Sequence, residues 1–154
     1  MEEFEFIGPN DKPALLAITT PEALSTAKTA LSGLGYKSHV VDSHPMFETR
    51  YNQVAYQIVV IEENFAGGSI LDNASLRMIQ ELPMAQRRNV VFFLIGHTFE
   101  SLNTMQAFCQ SVHCVLNFSE LLMMPEVVLK TMAENDMFLR TYRDVQKRIY
   151  EKGA

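Results

Sequence analysis

Cysteine is scarce in this chain, two residues in 154, and that excludes a disulfide scaffold and suits a reducing compartment. Long apolar runs are missing as well. No segment approaches the roughly 20 apolar residues of a membrane span, and none has the apolar core of a signal peptide. The expected location is cytoplasmic, away from the membrane. A basic face is also lacking. Thirteen Lys and Arg stand against eighteen Asp and Glu, for a net charge of −5, and adjacent basic pairs occur only at Arg87-Arg88 and Lys147-Arg148. Nucleic-acid binding is therefore not expected. Neither G-x-x-x-x-G-K-S/T nor G-x-G-x-x-G occurs, and the hydroxyl-rich turn Thr19–Thr26 lacks the glycine that would let backbone amides approach a phosphate. Those residues read as a helix start, and no cofactor is expected. Cys109, His113, Cys114 and His97 are metal-ligand types, but not as two tight pairs at knuckle spacing. Cys109 is expected on the buried face of a helix and Cys114 in a strand, with no metal bound.

What is present is a globular balance, 47% hydrophobic and 20% charged, in a length that suits one domain with a substantial core. The organising stretch is Tyr56–Ser69, YQIVVIEENFAGGS. Ile58 to Ile61 form an unbroken, β-branched run suited to a strand buried on both faces. Glu62 and Glu63 follow where the run stops, and a flexible Ala66-Gly67-Gly68 turn comes next. In an open α/β sheet, chemistry collects in the crevice beyond the carboxyl ends of the strands. Adjacent residues at a strand end point to opposite faces, so the two glutamates do not form a facing acid/base pair. At a strand end Glu62 would be a solvated carboxylate.

Around that stretch the pattern alternates. Residues 1–12 form an acidic arm in which Phe4, Phe6 and Ile7 suit an edge strand or docking segment, with a frayed terminus as the alternative. Ala14 to Ile18 read as a strand. Thr19-Thr20-Pro21-Glu22 starts a helix carrying Leu24, Ala27, Leu31 and Leu34, which Gly35 ends. Ser38 to Val41 are a second strand flanked by His39 and His44, expected at the surface without partners. Ser43 caps a helix with Phe47, Tyr51 and Val54 on one face. After the glutamate strand, Asp72 or Asn73 caps a third helix lined by Leu71, Ser75, Met78, Ile79 and Leu82. Pro83 stops it, and a polar loop Gln86–Asn89 leads to the strand Val90–Ile95. Thr98 is expected to cap a fourth helix through Leu102, Met105, Cys109 and Val112. Cys114 to Leu116 are a fifth strand, and Pro125 opens a last helix running almost to the end. Five strands alternating with five helices predict a doubly wound parallel sheet, one domain over residues 13–154.

The order and spacing over roughly residues 13–140 resemble the receiver domain of bacterial response regulators, a flavodoxin-like (βα)5 fold. Tyr56–Glu62 matches that family's "YDLVLLD" third strand, and Gly67 stands five residues past Glu62, where the family's loop carries its glycine. The Leu82-Pro83 break and the Val90–Leu94 strand are in register too. An active receiver uses an aspartate as phosphoryl acceptor and an acidic pair after the first strand to hold Mg²⁺. A Ser or Thr after the fourth strand and a Lys after the fifth bind the phosphoryl oxygens. The resemblance puts Glu62 at the acceptor position and Thr19-Thr20 at the acidic pair, where neutral hydroxyls are poor Mg²⁺ ligands. Ile95 or Gly96 falls at the Ser/Thr position, with Thr98 too far along, and Asn117-Phe118 replaces the Lys-Pro pair. The implication is a degenerate receiver that is not phosphorylated and not an enzyme, in which Glu62 is either a permanent mimic of the phosphorylated side chain or merely solvated.

The last helix runs past the length such a domain covers. Phe138, Tyr142, Val145 and Ile149 recur at i, i+4, i+7 and i+11, one side of a helix that calls for a partner. The expectation is a protein-interaction module of signal transduction, acting through the fourth helix, fifth strand and last helix, and homodimeric through this stripe. The alternative is a small enzyme or ligand-binding protein using the strand-end crevice around Thr19, Glu62, Gly96 and Asn117. A crevice plugged by Phe65, His97 or Phe118 would favour the module.

Overall fold

The structure is a computed structural model and describes residues 6–152. Five strands form one parallel sheet: β1 (Lys12–Ala17), β2 (Tyr36–Val40), β3 (Ile58–Glu62), β4 (Val91–Gly96) and β5 (Cys114–Asn117). Their order is β2-β1-β3-β4-β5, which is the flavodoxin-like order. Leu15 pairs with Val59, and Val59 with Phe92, so the most apolar segments lie side by side at the centre. Alternation along each strand splits the core into two layers. Leu16, Ile58, Val60, Phe93 and Ile95 face one side, where α1 (Pro21–Gly33) and α6 (Met124–Lys152) cover them. Leu15, Val59, Ile61, Phe92 and Leu94 face the other, beneath α2 (His44–Gln53) and α3 (Ala74–Gln80). Each such side chain contributes about 1.5–3 kcal/mol by leaving water.

Local chemistry sets the helix ends. Gly35 sits at φ +89, the left-handed geometry that terminates α1. Ser43 Oγ accepts from Met46 N–H at the start of α2, and Asn73 Oδ1 accepts from Leu76 N–H at the start of α3. Thr20 holds the cap position of α1 without a side-chain bond.

The structure departs from sequence expectation in several places. The third helix is short, and Leu71 lies in a 3-10 turn ahead of it, facing water, while Leu76 takes the buried place. The polar stretch after Pro83 coils into one turn, α4 (Met84–Arg87). The fourth helix starts late, as α5 (Thr104–Cys109). Leu102 stands at φ 66, which a helix cannot pass through, and Asn103 caps instead, accepting from Gln106 N–H at 2.9 Å. That shift turns Met105, Phe108 and Cys109 outward, so Cys109 is exposed rather than buried; Cys114 is buried in β5 as expected. The histidines also differ. His39 is buried with Nδ1 2.7 Å from the Tyr56 hydroxyl, and His44 Nδ1 meets Ser75 Oγ at 2.8 Å. Burial holds Tyr56 up at about 12, with Arg50 opposing slightly, and pulls His44 down. Of the N-terminal arm, Phe6 is exposed and in no strand, with its carbonyl accepting from Lys37 on β2, and Phe4 lies outside the described residues.

Candidate functional site

The carboxyl ends of β1, β3 and β4 meet at the crest of the sheet, and the two glutamates after Ile61 organise it. Glu62 ends β3 with no exposed surface, because its side chain turns toward β1. Its Oε1 accepts from Thr19 N–H at 3.1 Å, and both oxygens lie 3.4 Å from Thr20 N, just ahead of α1. A carboxylate at a helix N-terminus meets unpaired amides and the positive end of the helix dipole. Glu63 turns the other way, toward β4. It accepts from His97 N–H at 2.7 Å, from Thr98 N–H at 3.3 Å, and from the Thr98 hydroxyl. Gly96 is what admits it: a Cβ at that position would overlap the Glu63 carboxyl.

Neither glutamate is solvated, which for Glu62 overturns the reading of a solvated carboxylate at a strand end. Each reaches over its own flank and fastens a neighbouring loop. Asn73 Nδ2 donates to the backbone carbonyls of Glu62 and Glu63, and the Thr19 hydroxyl accepts from Ala66 N–H at 2.9 Å. The loops after β1, β3 and β4 are thereby tied together. Thr98 serves this tie and not a helix cap.

The structure brings Thr19, Thr20 and Glu62 together, through the two backbone amides. Ile95 is buried in the core, pairing with Glu62 across β3–β4, and presents no polar group. Asn117 ends β5 and spends its amide on the His97 and Phe99 carbonyls, at 3.2 and 2.7 Å, while its Oδ1 accepts from Ser119. Phe65 is fully buried beneath the crest, and His97 packs edge-on against Phe118 with ring centroids 4.3 Å apart. A side groove of about 380 Å³ lies between α1 and Phe118, lined by Thr20, Glu22, His97 and Leu122, but it does not expose Glu62. Among the described residues, no three His, Cys, Asp or Glu side chains are placed to hold a metal ion. Sequence reasoning weighed Glu63 only as half of an acid/base pair and missed its tie to the loop after β4; the signal was Gly96, whose missing side chain makes room for it.

A second region lies at the opposite end of the sheet. α6 spans 29 residues, and its buried positions, Met124, Val127, Val128 and Thr131, all fall in the first third. Beyond Leu139 the helix stands almost clear of the domain; Arg88 donates to the Tyr142 hydroxyl at 2.9 Å and lies over that ring. Phe138 is 72% exposed and Ile149 66%, with Val145 between them about half exposed. A cavity of about 710 Å³ opens beside this segment, walled by Met84, Arg88, Phe108, Val112, Glu134 and Phe138. His113 borders it. Its Nδ1 accepts from Phe92 N–H at 3.0 Å, and burial, with the Arg87 charge nearby, pushes the imidazole down to about 4. No described helix is long and apolar enough to cross a membrane.

No protein-family model and no curated protein matches the chain by sequence. Solved structures do match by shape. A response regulator receiver domain from Methylobacillus flagellatus is 18% identical, with a TM-score of 0.59, over 79% of this chain and 99% of the other. The chemotaxis response regulator CheY4 of Vibrio cholerae is 10% identical with a TM-score of 0.61, covering 82% and 99%. An orphan response regulator of H. pylori is 13% identical with a TM-score of 0.58, covering 78% and 95%.

Proposed function

We propose that this chain, which has the fold of response-regulator receiver domains, is a signal-transduction module that binds protein partners without being phosphorylated. The observation that carries the reading is the occupied crest. Glu62 and Glu63 fill it with two buried carboxylates, and their oxygens are taken up by the Thr19, Thr20, His97 and Thr98 amides. An incoming phosphoryl group would have to displace them and would meet like charge. Thr19, Thr20, Ile95 and Asn117 supply no carboxylate for Mg²⁺ and no ammonium for phosphoryl oxygens. The enzyme alternative finds no support in this geometry, since Glu62 is enclosed and Asn117 is spent on backbone carbonyls.

What remains available is a surface: α5 and the free half of α6, beside the buried β5, with Phe138, Tyr142, Val145 and Ile149 as its stripe. The simplest occupant is a second copy, because a helix that leaves its own domain can close a symmetric pair. Incubation with Mg²⁺ and acetyl phosphate tests the central claim. The intact mass should stay unchanged; an acid-stable but base-labile phosphate adduct at stoichiometric level would overturn it.

A further inference from the structure

We infer that two copies pair their α6 helices in opposite directions, so that the helix tip of each copy seats in the cavity beneath the sheet of the other. The inference rests on the homodimer reading and adds the arrangement and the second binding surface. Thr131, Asn135, Phe138, Tyr142, Val145 and Ile149 follow one another at alternating spacings of four and three residues. That is the seam of a two-helix coil. The first of them is buried on the helix's own domain, so the seam leaves the domain on the domain-facing side. Arg88, reaching from beside α4 to the Tyr142 hydroxyl, shows the same thing.

This decides direction. A partner helix running the same way would bring its own domain to the place where Met84, Arg88 and Phe108 already stand. A partner running the opposite way brings only its bare tip. Residues 136–152 extend about 25 Å at 1.5 Å per residue. Centred between Tyr142 and Val145, the reversed pairing sets Ile149 of one copy against Phe138 of the other, at the mouth of the cavity.

The surfaces suit one another. Phe108 is 78% exposed and Met84 70%, and both wall the cavity. An aromatic ring alone covers ~150–250 Å². With Phe138, Ile149 and the tip's other apolar atoms, the area is on the order of the ~800 Å² per partner of a stable interface. One local charge match falls at the far end: Lys152 on the tip comes opposite Glu134 on the cavity wall, whose only ion-pair partner is Lys130 at 3.9 Å, among the described residues. Arg87 and Arg88 on the same wall keep their positive charge while they donate to the Ser111 carbonyl and the Tyr142 hydroxyl, so the apolar area carries the fit and the charge match is confined to Glu134.

The test uses the full chain with Cys109→Ser, which removes the exposed native thiol, and adds either Phe138→Cys or Ile149→Cys. Sedimentation of each variant first establishes whether it is a dimer. Under mild oxidation the two variants mixed together should give a disulfide-linked pair, at least tenfold more than either variant alone. Efficient linking of Phe138→Cys to itself would show helices running the same way and overturn the arrangement while leaving a dimer. A wild type that sediments as a monomer at all concentrations, or a monomer that floats with anionic phospholipid vesicles, would overturn the second copy as occupant. Neither outcome would touch the absence of phosphorylation, which the acetyl phosphate experiment reads separately.

Discussion

At the scale of single residues, the crest depends on two carboxylates with different tasks. Glu62 is enclosed and accepts the two amides that begin α1, so Glu62→Gln should cost about 1–2 kcal/mol of stability, because an amide NH₂ is forced against a backbone donor. Urea denaturation reads this directly; a change within ~0.5 kcal/mol would restore the solvated reading. Gly96→Ala should be at least as damaging, since the added methyl displaces Glu63 from His97 and Thr98. His113 sets a pH dependence. Its folded value of about 4 lies below the ordinary 6.5, so the unfolded chain binds more protons between those values. Stability is therefore complete above about pH 6.5 and falls as pH drops toward 4. The outer side of His113 is open to water, although its Nδ1 side is enclosed against β4, and solvent screening limits the loss to roughly 1–2 kcal/mol. His113→Gln should flatten that part of the stability profile.

At the scale of elements, α6 is two helices in function. Its first third is a core element, packed through Met124, Val127 and Val128 against the sheet. Its second half carries its apolar residues into water. Val145→Asp with Ile149→Asp should leave a folded monomer of unchanged unfolding midpoint in dilute solution, because neither side chain belongs to the domain's own core. Wild type should sediment as a dimer at micromolar concentration. α5 shows how a cap overrides a longer apolar pattern. Leu102, Met105, Cys109 and Val112 share helical spacing, yet Asn103 and the left-handed Leu102 start the helix later and rotate it. Removing that cap with Asn103→Ala should cost about 1 kcal/mol.

At the scale of the whole molecule, the sheet separates two ends with opposite properties. The carboxyl end is closed by its own side chains, and the other end opens beside a helix that leaves the domain. If two copies share that helix, stability and association are linked, and the unfolding temperature should rise with protein concentration. Differential scanning calorimetry over a hundredfold concentration range checks this, with the doubly substituted helix as the concentration-independent reference.

The alternation of strands and helices and the long α6 were legible from residue pattern, since buried β-branched runs and helical spacing are local signals, whereas the strand order came only with the resemblance to receiver domains. So were the Ser43 and Asn73 caps, the Gly35 stop and the position of Glu62. The exposure of Cys109 and Leu71 and the burial of His39 were not, because each depends on where a neighbouring element ends or what lies across the sheet. The crest was the hardest to read. Glu62 and Glu63 are adjacent in sequence and carry the same group, and only tertiary structure sends one to the amides before α1 and the other into the space left by Gly96. Sequence by itself determined that a carboxylate would stand at the end of β3. Folding decided that it would be enclosed, because burial depends on which loops close over a side chain, and those loops lie more than thirty residues away in both directions.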